Sequence, residues 1–261
     1  MSALITLLSD FGSSGPYPAA MKAVIASYCD PLFIDISHEV PRHNIRAGAY
    51  LLFTVAPFTP AGTIHLAVVD PGVGTPRSAL VLTSGGQFFV GPDNGLLVPA
   101  ARRVGTPRAY AIDDEQLLRG IRSATFHGRD LFAPVAGLLA KGMLPSTLGS
   151  PASEFADLEF GTGQLERGTL TGEIIYADAF GNLITNIPAS LLPAEGKRVM
   201  VRAGGKTTSA IVARTYGDGA PNRLLVVPGS DGFAEIAIRE ASAAKALGAG
   251  PGSVVHVRPR S

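Results

Sequence analysis

The chain has 261 residues, 46% of them apolar, which is enough to bury a sizeable core as one large domain or two modest ones and excludes a disordered tail or a small stapled scaffold. Lys and Arg number 22 against 21 Asp and Glu, so a net charge of +1 provides no electrostatic footprint for nucleic acid or an anionic membrane, and the expected partner is a small molecule. One cysteine, Cys29, excludes an intrachain disulfide framework and a multi-cysteine zinc cluster.

In the first half, short apolar strands alternate with amphipathic helices. Residues 4–9 (LITLLS) form a strand-like run closed by Asp10-Phe11-Gly12, after which Met21, Val24, Ile25 and Tyr28 follow helical spacing. Residues 32–36 read as a second strand, and Ile45, Ala49, Leu52 and Phe53 mark one face of a second helix. Residues 64–69 (IHLAVV) form a third strand cut off by Asp70-Pro71-Gly72, with further strands expected at 79–82 and 88–90 and a helix over 130–141. This alternation predicts an α/β domain with a mostly parallel sheet flanked by helices. Between residues 142 and 168 the periodicity disappears, as in a linker, and the boundary is placed to give domains 1–160 and 161–261. Beyond it, seven short strand candidates recur between turns (172–176, 183–187, 198–201, 210–213, 224–227, 234–238 and 254–257), predicting a smaller antiparallel β-barrel or sandwich. Residues 241–249, rich in Ala, are expected to form one short helix.

Ligands of open α/β sheets bind at the carboxyl ends of the strands, and Asp10 and Asp70 each follow an apolar strand directly. Parallel strands would place both carboxylates on one edge; each is equally suited to capping a helix or tying a turn. In Asp70-Pro71-Gly72-Val73-Gly74-Thr75-Pro76-Arg77 a strand after Arg77 would return its cation to that edge, although an ordinary surface hairpin also fits. The segment lacks the spacing of a phosphate loop. Gly91-Pro92-Asp93-Asn94-Gly95 reads as a structural turn. Phe126 and His127 sit in Thr125-Phe126-His127-Gly128-Arg129-Asp130, just before a helix. An imidazole beside glycine there is accessible and titrates near neutral pH. His38, His43, His65 and His256 lack recurring acidic spacing and read as structural, and no HxH or HExxH spacing indicates a metal. In the second domain, Asp178, Phe180 and Asn182 belong to a dense polar cluster in which Phe180 and Asn182 suit a planar base, unless the cluster is only an Asx turn. Residues 227–233 (VPGSDGF), with Ser230, read in the same two ways.

SDFG at 9–12, MKAVI at 21–25, DISH at 35–38, VVDPGVG at 68–74, GPDNGLL at 91–97, TFHGRD at 125–130 and FGNLITNI at 180–187 together resemble the S-adenosyl-L-methionine hydrolases, also called S-adenosylmethionine hydroxide adenosyltransferases, relatives of the adenosyl fluorinases and chlorinases. Each motif is weak alone; in this order they are specific, and they span nearly the whole chain. The resemblance implies an N-terminal α/β domain, a C-terminal barrel-like domain and a homotrimer with intersubunit active sites, which would account for charged residues being only 16% of the chain. It implies hydrolysis of S-adenosylmethionine to adenosine and L-methionine without metal or organic cofactor. Asp70, Arg77 and His127 fall on the set that holds and activates water, and Asp10 on the carboxylate that grips the ribose hydroxyls. Phe180 and Asn182 match adenine contacts, Asp178 and Ser230 match groups receiving the methionine ammonium and carboxylate, and Phe126 is a further substrate-binding position. In the halogenating relatives the position of Asp70 is not an acid and that of Gly128 carries a hydroxyl or another halide-fitting group, so water is the expected nucleophile here. The alternatives are halide-dependent adenosyl transfer and a ligand sensor without turnover. Gly15 stands where relatives often have an acid that holds the methionine portion, and Asp231 where halogenating relatives place a cation. A cytoplasmic location is expected, since the N-terminal residues lack signal-peptide features and no apolar run approaches the roughly 18 residues of a membrane span.

Overall fold

The structure is a computed structural model and describes residues 2–119 and 122–260. The chain divides into two compact units, Met1–Glu159 and Phe160–Ser261.

In the first unit the strands are β1 (Leu4–Ser9), β2 (Leu32–Ser37), β3 (Ile64–Val68), β4 (Ala79–Ser84), β5 (Gln87–Pro92), β6 (Arg108–Ile112) and β7 (Gly149–Ala152). They form one sheet in the order β2-β1-β3-β5-β4-β6-β7. Helices α1 (Tyr17–Ala26), α2 (Ile45–Val55), α3 (Val98–Val104), α4 (Glu115–Arg119) and α5 (Ala133–Ala140) accompany it, α1 packing with α5 and α2 with α3. Alternation along β1 explains this layering: Ile5 and Leu7 join Met21 and Ile25 of α1 and Val135, Ala136 and Leu139 of α5 in one core. On the other side of the sheet, α2 lies so close that a Cβ at Gly48 would meet Leu8, Val69 and Leu96.

The sheet is mixed rather than mostly parallel. Pairs β1–β2, β1–β3 and β3–β5 are parallel, whereas β4–β5, β4–β6 and β6–β7 are antiparallel. The β4–β5 pair follows from the two-residue turn Gly85-Gly86, where φ is +55° and +76°. Consecutive left-handed residues make a tight hairpin turn that matches strand twist, so β4 and β5 pair as neighbours. The expected linker also holds structure, namely β7 and, in the second unit, β8 (Gln164–Glu166).

That second unit contains β8, β9 (Thr169–Ala177), β10 (Leu183–Pro188), β11 (Arg198–Ala203), β12 (Lys206–Val212), β13 (Leu224–Pro228), β14 (Phe233–Ile238), β15 (Val254–Pro259) and α6 (Ala243–Leu247). Strands β10-β14-β13-β12-β11-β15-β9 close on themselves through β9–β10 pairing, and β8 extends β9. Ile174, Leu183, Val201, Val226, Ile236 and Val257 fill the barrel, and Ala243 and Leu247 of α6 join them. Closure removes the exposed edges that an open sheet would leave. One pairing departs from the antiparallel expectation: β12 and β13 are parallel, because segment 213–223 crosses over between them. The 241–249 helix is shorter than expected, bounded by Ser242, whose Oγ accepts from Lys245 N at 3.1 Å, and by Gly248 in the left-handed region.

No helix among the described residues is long and apolar enough to cross a membrane.

Candidate active site

The parallel pairing of β1 with β3 sets Ser9 against Val68, so Asp10 and Asp70 leave adjacent strand ends on the same sheet edge. Asp10 is half-buried, and its Oδ2 accepts from the backbone N–H of His43 at 2.8 Å. His43 adopts φ +62°, a left-handed conformation that few non-glycine residues take. Ser9 and His38 brace this turn from beneath: Ser9 Oγ and His38 Nδ1 are 2.8 Å apart, and Gly12 N donates to His38 O at 2.8 Å.

Strand β4 begins on that edge and brings Arg77 back to Asp70. The guanidinium grips the carboxylate with two donors, Nε on Oδ1 at 2.9 Å and Nη2 on Oδ2. Their side chains are 12% and 5% exposed, which rules out the surface-hairpin reading. Arg77 Nη2 also lies 3.1 Å from His127 Nδ1, and its ring-face neighbour is Phe132, 5.3 Å from the guanidinium. Asp70, Arg77 and His127 are thus in one contiguous hydrogen-bonded line, although the chain separates them widely. A guanidinium only donates, so His127 Nδ1 is the acceptor and the neutral ring carries its proton on Nε2. Burial, with the Arg77 charge added, pushes the His127 pKa below its usual value despite the carboxylates of Asp70 and Asp130.

His127 sits at the start of a π-helical turn, Gly128–Phe132, that leads into α5. Buried Asp130 anchors the turn: it takes two bonds from Arg129, at 2.6 and 2.9 Å, and accepts from the backbone N–H groups of Arg122 and Ser123. The Arg129 bonds above all hold the Asp130 carboxyl below its ordinary pKa. Phe126 packs edge-on against Phe11 and Tyr17, with ring centroids 5.8 and 5.1 Å away, and under Arg129. A Cβ at Gly128 would stand 3.0 Å from Met21 Sδ and 3.2 Å from the Phe126 ring. The glycine therefore lets α1 and the aromatic cluster close over the turn. Asp93 and Asn94 are structural, as expected: Asp93 accepts from Ala156 N, and Asn94 Nδ2 donates to Val69 O, directly before Asp70.

In the second unit, Asp178 ties the β9–β10 turn, accepting from the N–H groups of Phe180 and Asn182 and from Asn182 Nδ2 at 2.8–2.9 Å. The Asx-turn reading is thus correct as local structure. It does not account for Phe180, which projects 81% exposed over a cavity of about 520 Å³ that also holds Asn182, Tyr216, Ile238, Arg239 and Ser242. Ser230 is exposed on the β13–β14 loop beside half-buried Asp231. Sequence reasoning did not single out Tyr216 or Arg239. Arg239 follows the end of an apolar strand, the signal that marked Asp10 and Asp70; Tyr216 is far from every other pocket residue in sequence, and nothing local distinguishes it.

Among the other histidines, His65 is structural. His65 is fully buried, with Nδ1 2.7 Å from Thr6 Oγ1 and Nε2 3.1 Å from Gln87 Oε1, and burial lowers its pKa to about 4. Among the described residues no group of three or more His, Cys, Asp or Glu is arranged to hold a metal ion.

Residues 5–149 match the SAM hydroxide adenosyltransferase N-terminal domain, and residues 172–256 match the SAM hydroxide adenosyltransferase C-terminal domain. An (R)-S-adenosyl-L-methionine hydrolase of Salinispora tropica is 38% identical over 97% of both chains, and one of Thermus thermophilus is 40% identical over 97% of this chain and 98% of its own. A fluorinase of an Actinoplanes species is more distant, 24% identical over 74% of each chain. A crystal structure of an uncharacterised conserved protein from Thermotoga maritima superposes with a TM-score of 0.92 at 36% identity, covering 97% of this chain and 99% of that one. Matched by both domain models and along nearly its full length by hydrolases, the chain belongs to the SAM hydroxide adenosyltransferase family.

Proposed function

We propose that the protein hydrolyses S-adenosyl-L-methionine to adenosine and L-methionine. The observation that carries this reading is the half-buried line Asp70–Arg77–His127, an acid, a cation and a neutral imidazole on the sheet edge that also holds Asp10. Water attacks the ribose C5′, an O–C5′ bond forms as the C5′–S bond breaks, and the sulfonium leaves as a neutral thioether. That leaving group needs no acid, so the enzyme's work is to place one water in line and take its proton. In-line positioning alone is worth ~7–11 kcal/mol. With Nδ1 engaged by Arg77, His127 offers Nε2–H to the water oxygen, and Asp70 accepts the proton. Arg77 fixes both partners and stabilises the developing hydroxide electrostatically. Asp10 pairs one carboxylate with the two ribose hydroxyls, while Phe180 and Asn182 take the adenine. Asp178 and Ser230 take the amino-acid tail, and Phe126 lines the substrate site.

Asp70 favours water over halide as the nucleophile because its carboxylate can take a proton from water, which a halide does not carry. A homotrimer with intersubunit active sites, a cytoplasmic location and turnover without metal complete the proposal.

The test is incubation of the purified protein with S-adenosylmethionine, a chelator and 18O-labelled water. One 18O atom in the 5′-hydroxyl of the released adenosine is expected. A 5′-halo product on adding chloride or fluoride would establish the transferase instead, and calorimetric binding with no product would establish a sensor.

A further inference from the structure

Glu235 is 9% exposed and plays no part in the mechanism above. Alternation along β14 sends Ala234 and Ile236 into the barrel core, so Glu235 points to the outer face. That face is covered by segment 213–223, which packs Ala213 on Leu225 and Val227. Tyr216 comes from the same segment and donates its hydroxyl to Glu235 Oε2 at 2.5 Å. Its turn is prearranged by a reciprocal cap, Asp218 Oδ2 accepting from both Thr215 N and Thr215 Oγ1. The other carboxylate oxygen lies against Gly229, where any Cβ would collide with it. The two residues that bound this carboxyl, Tyr216 and Gly229, belong to loops that carry cavity or candidate-site residues: Tyr216 lines the cavity beside Phe180 and Asn182, and Gly229 adjoins Ser230.

We propose that Glu235 is a positioning residue for the nucleobase end of this cavity, acting through Tyr216. The inference rests on the reading that the cavity takes adenine. A tyrosine ring on a surface loop has two free torsions, and fastening its hydroxyl to a buried carboxylate sets the ring plane before a ligand arrives. With Phe180 so exposed, the cavity presents two aromatic rings to a flat heterocycle, and the ordering cost of one is met in the free protein. Burial, reinforced by the facing charges of Asp178 and Asp231, raises the Glu235 pKa, and the Tyr216 hydroxyl is shifted up by the same burial and by Glu235. The phenol therefore stays a donor.

The experiment measures adenosine binding by calorimetry and KM and kcat for S-adenosylmethionine in the full-length protein. Tyr216→Phe and Glu235→Leu are each expected to weaken adenosine binding and raise KM about tenfold, with kcat within about twofold. Glu235→Gln keeps an acceptor for the phenol and is expected to stay within about twofold of wild type in both. Adenosine binding unchanged in Tyr216→Phe overturns the proposal, as does Glu235→Gln being as impaired as Glu235→Leu. A lowered melting temperature without a change in KM assigns the pair to stability alone and also overturns it. Should Glu235→Leu fail to fold, the other two variants decide. Wild-type protein that does not bind adenosine refutes the nucleoside reading itself, whereas wild-type binding left intact by Tyr216→Phe refutes only the role of Glu235.

Discussion

Asp70 and Arg77 make a bidentate pair that excludes most solvent, so removing one partner leaves the other without its charge complement. Asp70→Asn keeps the shape but not the proposed base, and is expected to lower kcat at least ~10²-fold while adenosine binding, measured by calorimetry, changes little. His127→Ala should behave similarly. Equal loss of binding and turnover would instead show that the triad shapes the pocket. Protonation of His127 would put a proton on Nδ1, facing the Arg77 cation. Because burial and that cation depress its pKa, the acid limb of kcat/KM is expected below the ordinary histidine value near 6.5, and a limb above it would contradict this arrangement. His65 supplies a separate stability effect. Its folded pKa is about 4, below its unfolded value, so between pH 6.5 and 4 the unfolded chain binds the additional proton. Stability from this residue is complete above about pH 6.5 and is lost as pH falls through that window, by roughly 3 kcal/mol. Denaturant titrations of wild type and His65→Gln across the window measure it; a variant with the same pH slope as wild type would show that His65 is not the source.

The π-helical turn that carries His127 depends on contacts that no single motif encodes. Gly128 is hemmed in by Met21 of α1 and by the Phe126 ring, so Gly128→Ala is expected to destabilise by about 1–3 kcal/mol through overpacking. Differential scanning calorimetry would show this as a fall in melting temperature, and an unchanged value would mean that α1 yields easily. The elements themselves were legible to different degrees. β1, β3 and β13 announce themselves as short apolar runs ended by turn residues, and α2 as a periodic face. α3 and β6 were missed because α3, at seven residues, is too short to display a helical period and β6, Arg108–Ile112, is short and begins with a charge. β12 was read as beginning at residue 210 because its first half, from Lys206, is polar and exposed.

Each unit has its own core, the first built on β1, β3, α1 and α5 and the second inside the closed barrel. The proposed homotrimer predicts a mass of about three times 27.0 kDa by light scattering, and a monomer that retains full activity would remove the intersubunit site from the proposal. Turnover is expected to survive exhaustive chelation, and loss restored by one divalent ion would overturn the metal-free mechanism. Fold class was recoverable from periodicity because burial alternates with a period of two in strands and 3.6 in helices, whatever the partner. Strand order was not, because a hairpin and a crossover differ in a few turn residues: the Gly85-Gly86 turn sets β4 against β5, and segment 213–223 made one barrel pairing parallel.

Residue chemistry by itself determined that Asp10 and Asp70 would each directly follow an apolar strand, and that Phe180 and Asn182 shared a turn, since these facts are local. Only the tertiary structure decided that Arg77 clamps Asp70 while donating to His127 Nδ1, and that Tyr216 reaches across to Glu235. Such contacts join residues far apart in the chain, and what holds them is burial and hydrogen-bond geometry that no local spacing specifies.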